Sequence, residues 1–266
     1  MGERIRQIQV GDITLNTKRN IYMAGVCAIE TQEQTFSTAA HVVKEGAQLL
    51  RGGVFKPRKD PKTFRGLGED GLEIAFEAGR QNGIPIVTEV MTIDQIGMIR
   101  RASRGHPYIL QIGSRNALNY SLLEAVGETG TPVLLKRGMG AKVQEMILAA
   151  EYVTKGGSPV IMCERGIVTF SDVGRYTADL LAVIKFQQEG FLTVFDPSHP
   201  AGRNDMVIPL ALAGIGIGAN GLIVEVKPTE FKAKCDNDQA LSFDQFSELM
   251  LKARQIEKVI KGGMVR

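Results

Sequence analysis

Residues 132–166 read PVLLKRGMGAKVQEMILAAEYVTKGGSPVIMCERG, and this stretch decides the fold. The run Val133-Leu134-Leu135 is continuously apolar and ends on Lys136. A strand with one wet face would alternate apolar and polar residues. A continuous run belongs to a strand covered on both faces, as in a parallel sheet. The window VQEMILAAEYVTKGG, from residue 143, spaces its apolar residues at helical intervals and stops at two glycines. A second continuous run, Val160–Cys163, then ends on Glu164-Arg165. Strand, amphipathic helix, strand is the crossover unit of a parallel sheet.

Working outward, the same alternation fills the chain. Strand runs are predicted at 21–26 (IYMAGV), 48–53 (QLLRGG), 84–90 (IPIVTEV), 108–113 (YILQIG), 192–199 (LTVFDPSH) and 221–226 (GLIVEV). Helical windows include TQEQTFSTAAHVVKEG, GEDGLEIAFEAGRQNG, TIDQIGMIRRA, NALNYSLLEAVGETG, YTADLLAVIKFQQEG, NDMVIPLALAGIG and FDQFSELMLKARQIEKVIKGG. Eight strand–helix units close naturally into a (β/α)8 barrel, an α/β architecture of roughly 250 residues. An open doubly wound sheet is disfavoured, because no glycine fingerprint follows the first strand. Ahead of the barrel, IRQIQVGDITLN alternates around Gly11-Asp12 and reads as a short β-hairpin. The expected layout is therefore a hairpin extension over 1–17, a barrel over 18–266 and no regulatory domain.

Bulk properties exclude several classes. Apolar residues make up 44% and charged residues 23% of the chain, and the formal net charge is +3. That composition is ordinary for a globular enzyme and argues against nucleic acid as a partner. Arg100, Arg101 and Arg104 cluster but read as a solvated helix face. No run approaches the roughly 18 apolar residues of a membrane span, and MGERIRQIQVGDITLN lacks a signal-peptide core. The cysteines at 27, 163 and 235 form no CxxC pair or disulfide framework, which fits a reducing cytoplasm.

In such a barrel the chemistry gathers at the C-terminal strand ends. The residues there are Cys27, Arg51 with Lys56, Glu89, Arg115, Lys136, Arg165, His199 and Glu225. Each can bind a metal or an anion. Charge where a strand leaves the core is common, but eight in eight is not. The five basic residues would repel one another strongly unless a polyanion sits among them. Cys27, His199 and Glu225 lie on the first, seventh and eighth strands, which become neighbours on closure, and Asp236 follows closely. Thiolate, imidazole and carboxylate suit a borderline divalent cation, Mn, Fe, Co or Zn. Cys163 reads as core. Cys235 adjoins Asp236, and its oxidation together with Cys27 would expel such a metal.

The segments RGGVFKPRKDPKTFRGLGEDGL, LQIGSRNALNYSLL, VLLKRG, CERGIVTF, DPSHPAGRNDMV and GLIVEVKP resemble 3-deoxy-D-arabino-heptulosonate 7-phosphate (DAHP) synthases, in their short form. That form shares its core with the 3-deoxy-D-manno-octulosonate 8-phosphate synthases. The resemblance runs from about residue 18 to 262, with motifs in the family's order. It implies condensation of phosphoenolpyruvate with erythrose 4-phosphate, the opening step of the shikimate pathway, by a cytoplasmic homotetramer or homodimer. It places Cys27, His199, Glu225 and Asp236 as metal ligands. It sets Arg51, Lys56 and Lys136 around the phosphoenolpyruvate carboxylate and reacting carbons, and Arg115, Arg165 and Ser114 at the phosphate beside Glu89. Arg58 and Lys59 fall at the aldehyde substrate, and Asp196 of DPSH joins the substrate-binding set. Lys56, His199 and Cys27 are the implied catalytic groups, with Lys56 as proton donor.

Some positions depart from the family pattern. Gly25-Val26-Cys27 replaces GPC, which keeps the ligand but loosens a turn. The acceptor loop KPRTSPYSFQGLG is here KPRKDPKTFRGLG, with Lys59 and Asp60 in place of threonine and serine. EVHP has become Glu225-Val226-Lys227-Pro228, and GRRD has become Gly202-Arg203-Asn204-Asp205. The metal and phosphoenolpyruvate halves follow the pattern, while the acceptor half is altered. A different aldose acceptor is therefore a second expectation. An octulosonate synthase is less favoured, since its KANRSS-type loop is missing. A non-catalytic paralogue is the reading from another class, and metal analysis with phosphoenolpyruvate binding separates it.

Overall fold

A computed structural model describes residues 7–56, 60 and 62–262. Eight parallel strands close into a barrel: β3 (Ile21–Gly25), β4 (Leu49–Arg51), β5 (Ile86–Val90), β6 (Tyr108–Ile112), β7 (Val133–Lys136), β8 (Val160–Glu164), β9 (Leu192–Phe195) and β10 (Gly221–Glu225). Closure is made by β10 pairing with β3, with Glu225 opposite Gly25. The predicted hairpin is β1 (Gln7–Val10) and β2 (Ile13–Asn16), an antiparallel pair outside the barrel sheet.

Alternation along each strand sorts side chains into two cores. Ile21, Met23, Leu49, Val87, Ile109, Leu134, Ile161, Cys163, Leu192, Val194 and Ile223 fill the barrel interior. Ile8, Val10 and Leu15 of the hairpin join this cluster, so the hairpin plugs one end of the cylinder. The intervening residues, such as Tyr22, Ala24, Leu135 and Val224, pack outward against the helices. Cys163 is fully buried in the interior core, as its sequence context predicts.

Helices α1 (Gln32–Lys44), α2 (Glu69–Asn82), α3 (Ile93–Ser103), α4 (Tyr120–Gly127), α5 (Val143–Lys155), α6 (Leu180–Gln188), α8 (Asn204–Gly216) and α9 (Phe243–Gly262) cover the sheet. Local capping sets several of their ends. The Thr31 side chain accepts from the Gln34 amide to start α1, and Gly83 takes a left-handed conformation to stop α2. A short turn of helix, α7 (Ser198–Ala201), intervenes before α8 and carries His199.

Two helices begin later than their apolar windows predict. Ser114–Asn116 form a 3-10 turn, and α4 waits for the Asn119 cap. Residues 176–179 likewise stay outside α6. Thr177 bridges Ile167, and the Asp179 carboxylate accepts from Arg137 at 2.7 Å. Local turn and cap bonds delay α4, whereas tertiary partners outweigh helical propensity before α6. Arg100, Arg101 and Arg104 lie on an exposed face at the end of α3, with Arg104 paired to Glu73. No helix among the described residues is long and apolar enough to cross a membrane.

Candidate active site

A polar cleft of about 500 Å³ opens at the C-terminal ends of the strands. Arg51, Lys56, Glu89, Ser114, Arg115, Lys136, Arg165, His199 and Asp236 line it, every one a residue that the sequence singles out, brought there by its own strand or the loop after it. Cys27, Asp196 and Glu225 stand immediately behind this surface, bonded to residues that line it. Arg58 and Lys59 lie outside the described residues.

On one side of the cleft sits a donor cluster. One donor atom each from Cys27, Glu225 and Asp236 lie within 4.8 Å of one another. Cys27 Sγ is 3.1 Å from Asp236 Oδ2. His199 is adjacent to this cluster without being part of it, its Nε2 3.8 Å from Glu225 Oε1. The other ring nitrogen, Nδ1, faces Asp196 Oδ2 at 2.7 Å, and the His199 amide donates to Asp196 Oδ1. Asp196 thus orients the imidazole and also pairs with Lys136, rather than lining the cleft.

The charges are matched to such a cluster. Burial pushes the Cys27 thiol well above its usual range, and the Glu225 charge adds to this. Burial also draws His199 below its ordinary value, against the pull of Asp196. A neutral imidazole is the form that ligates metals. Burial works to raise Glu225 and Asp236, yet His199 and neighbouring cations outweigh it and hold both below the usual carboxylate range. Asp236 itself occupies left-handed backbone, φ 48°, which costs of order 1–3 kcal/mol for such a residue and clusters at functional sites. One soft thiol, one imidazole and two carboxylates fit a borderline divalent cation. A buried thiol with a raised pKa loses its proton when a cation takes its place.

The opposite side is lined by cations. Arg51 and Arg165 are each 3% exposed, and the Nε donor of each has no hydrogen-bond partner among the described residues. A buried donor left unmade costs about 1–3 kcal/mol. Arg165 is steered into place by the Tyr176 ring, 4.2 Å from its guanidinium carbon. Lys56 Nζ donates to the Cys27 carbonyl at 2.8 Å, and Arg51 Nη1 donates to Glu225 Oε1 at 2.9 Å. These two contacts lock the cationic side to the donor cluster.

Sequence reasoning missed several residues here. Gln111, Met139, Arg175 and Tyr176 line the cleft. Gln239 sits behind it and donates to Glu225 Oε2 at 2.7 Å. Arg175 and Gln239 lie on long connections whose path no periodicity reveals. Gln111, inside YILQIG, was visible as a polar interruption of an apolar strand. Cys235, expected near Cys27, shares a small buried cluster with Cys27 and Ala28.

Comparison with known proteins bears on this arrangement. A profile described as the DAHP synthetase I family matches residues 7–262. A phospho-2-dehydro-3-deoxyheptonate aldolase of Thermotoga maritima is 41% identical over 94% of this chain and 73% of its own. A 2-dehydro-3-deoxyphosphooctonate aldolase of Syntrophobacter fumaroxidans is 28% identical over 93% of this chain and 91% of its own. Among solved structures, the Thermotoga maritima DAHP synthase superposes with a TM-score of 0.90 at 39% identity, covering 96% of this chain and 74% of that one. Its truncated form gives 0.87 at 37% identity, covering 96% and 93%.

Proposed function

The chain belongs to the DAHP synthetase I family and is an enzyme of the DAHP synthase kind, and on that premise we propose that it condenses phosphoenolpyruvate with erythrose 4-phosphate using a divalent metal held by Cys27, His199, Glu225 and Asp236. The observation that carries this reading is the pairing, across one cleft, of buried unpartnered arginine donors with a thiol–carboxylate cluster.

The reaction forms a bond between the methylene carbon of phosphoenolpyruvate and the aldehyde carbon. The aldehyde oxygen gains a proton, a water oxygen adds to the carbon bearing phosphate, and the carbon–oxygen bond to phosphate breaks. The products are a seven-carbon keto sugar acid phosphate and inorganic phosphate. The metal, when bound, supplies Lewis-acid polarisation of the aldehyde carbonyl.

The remaining work falls to the protein's own groups. Arg115 and Arg165 hold the phosphate, and Arg51 and Lys136 hold the carboxylate end of a trianion. That work is positioning and electrostatic stabilisation. Lys56 stays protonated: burial opposes this, but the acidic groups facing it, Cys27, Glu89 and Glu225, prevail. Held to the Cys27 carbonyl, Lys56 is placed to give its proton to the new alkoxide. The Asp196 carboxylate lies 2.7 Å from His199 Nδ1, which leaves Nε2 facing Glu225.

One observation favours a second reading, the same condensation with another aldose. Asp60 and Thr63 line the cleft, and a carboxylate there disfavours a phosphate group at the acceptor's far end. Phosphate release distinguishes the two, using chelator-treated enzyme resupplied with Mn²⁺ and offered erythrose 4-phosphate, arabinose 5-phosphate or neutral aldoses. Release with erythrose 4-phosphate that requires added metal is the expected result. Release with another aldose and none with erythrose 4-phosphate moves the assignment to the second reading.

A further inference from the structure

Gln239 is 2% exposed, and both ends of its carboxamide are used. Its Oε1 accepts from Arg175 Nη1 at 3.0 Å, and its Nε2 donates to Glu225 Oε2 at 2.7 Å. Arg175 Nη1 also donates to Asp236 Oδ1 at 2.8 Å. A continuous chain of bonds, Asp236–Arg175–Gln239–Glu225, therefore spans the two carboxylates of the donor cluster and occupies one oxygen of each. The other oxygens, Asp236 Oδ2 and Glu225 Oε1, are the ones that face Cys27 and His199, and Glu225 Oε1 also accepts from Arg51 Nη1 at 2.9 Å.

Resting on the metal reading above, we propose that Arg175 and Gln239 are positioning residues that hold Glu225 and Asp236 in their metal-binding orientation. The amide works in one sense only. Reversed, it would set its NH₂ against the guanidinium and its carbonyl against the Glu225 carboxylate, repulsive at both ends. The bracket also answers a charge problem, because two ionised carboxylates this close repel, and Arg175 places a cation against the outward oxygen of one. The Tyr176 ring, 5.6 Å from the Arg175 guanidinium carbon, backs that arginine from behind. The turn is closed on itself as well, since the Gln239 backbone N–H donates to the backbone carbonyl of Asp236 at 3.4 Å. Arg175 comes from the connection after β8 and Gln239 from the connection after β10, so the bracket ties two loops across the barrel mouth. Partners that orient a ligand's idle atom typically change metal affinity 10- to 100-fold when removed.

The test is calorimetric titration of Mn²⁺ into the chelator-stripped full-length protein, beside a separate titration of phosphoenolpyruvate. Gln239→Leu is expected to weaken Mn²⁺ binding about 10- to 100-fold, and Arg175→Ala at least about tenfold. Phosphoenolpyruvate affinity should stay within about twofold in both. Because the two residues form one chain, the double variant should fall well short of the summed single effects. Arg175 is partly exposed, so Arg175→Ala reports even where Gln239→Leu fails to fold. Mn²⁺ affinity within about twofold of the parent, or equal loss of phosphoenolpyruvate binding, overturns the assignment. A parent protein that binds no Mn²⁺ overturns the metal reading itself, which is a distinct outcome.

Discussion

Gly25 shows how much one residue can decide. Its φ is 152°, and a Cβ there would lie 2.1 Å from the Arg51 carbonyl oxygen. The close approach lets β3 and β4 deliver Cys27 and Arg51 to the same rim. Gly25→Ala should cost about 1–3 kcal/mol or more, read as a lower urea midpoint, because backbone rather than a flexible side chain must move. Arg165 works at the same scale but in the ligand's favour. Charge-assisted hydrogen bonds contribute about 1.5–3 kcal/mol each, so Arg165→Met should weaken phosphoenolpyruvate binding roughly 10- to 100-fold in a calorimetric titration. An unchanged affinity would remove Arg165 from the anion site.

Between elements, Arg137 is the joint that holds the cationic side of the cleft together. Buried at the end of β7, it donates to Glu164 of β8 at 2.9 Å, to Asp179 before α6 at 2.7 Å and to the Ala141 carbonyl at 3.0 Å. Glu164 in turn accepts from the Gly166 amide, fixing the backbone on either side of Arg165. Removing one partner of a buried pair leaves the other charge unmatched, so Arg137→Met should destabilise by about 3–5 kcal/mol. Burial holds the Glu164 pKa above its ordinary value, with Arg137 pulling it back down. A carboxyl raised in the folded state adds stability at low pH that is lost as pH rises through its folded value. Loss of Arg137 raises it further. The deficit of Arg137→Met in urea unfolding should therefore be smaller near about pH 5 than near about pH 8. A pH-independent deficit would show that Glu164 does not carry the effect.

For the molecule as a whole, closure of the cylinder concentrates cations that are far apart in the chain. Arg51, Lys56, Arg115, Lys136 and Arg165 all reach one cleft. A trianion bound among them stabilises the folded state by mass action, about 2.7 kcal/mol at a hundredfold excess over its dissociation constant. Phosphoenolpyruvate should raise the melting temperature by several degrees, and by less as salt is added. No shift at saturating ligand would argue against this cleft as its site.

The fold was legible from the amino-acid order because its signal is local. Continuous apolar runs such as Val133–Leu135 and Val160–Cys163, separated by amphipathic windows, have only one economical packing, and all eight strands appear where those runs lie. The strand-end residues that line the cleft were legible for the same reason, since strand direction alone puts them on one rim. Tertiary structure decided what depends on side chains distant in sequence. It set the late start of α6, imposed by the Ile167–Thr177 bridge and the Arg137–Asp179 pair. It turned Asp196 toward Lys136 and His199. It also chose Arg175 and Gln239, which no pattern marks, as neighbours of Asp236 and Glu225. Periodicity reports which face of an element is buried, whereas a hydrogen-bond partner is fixed only once the loops have found their path.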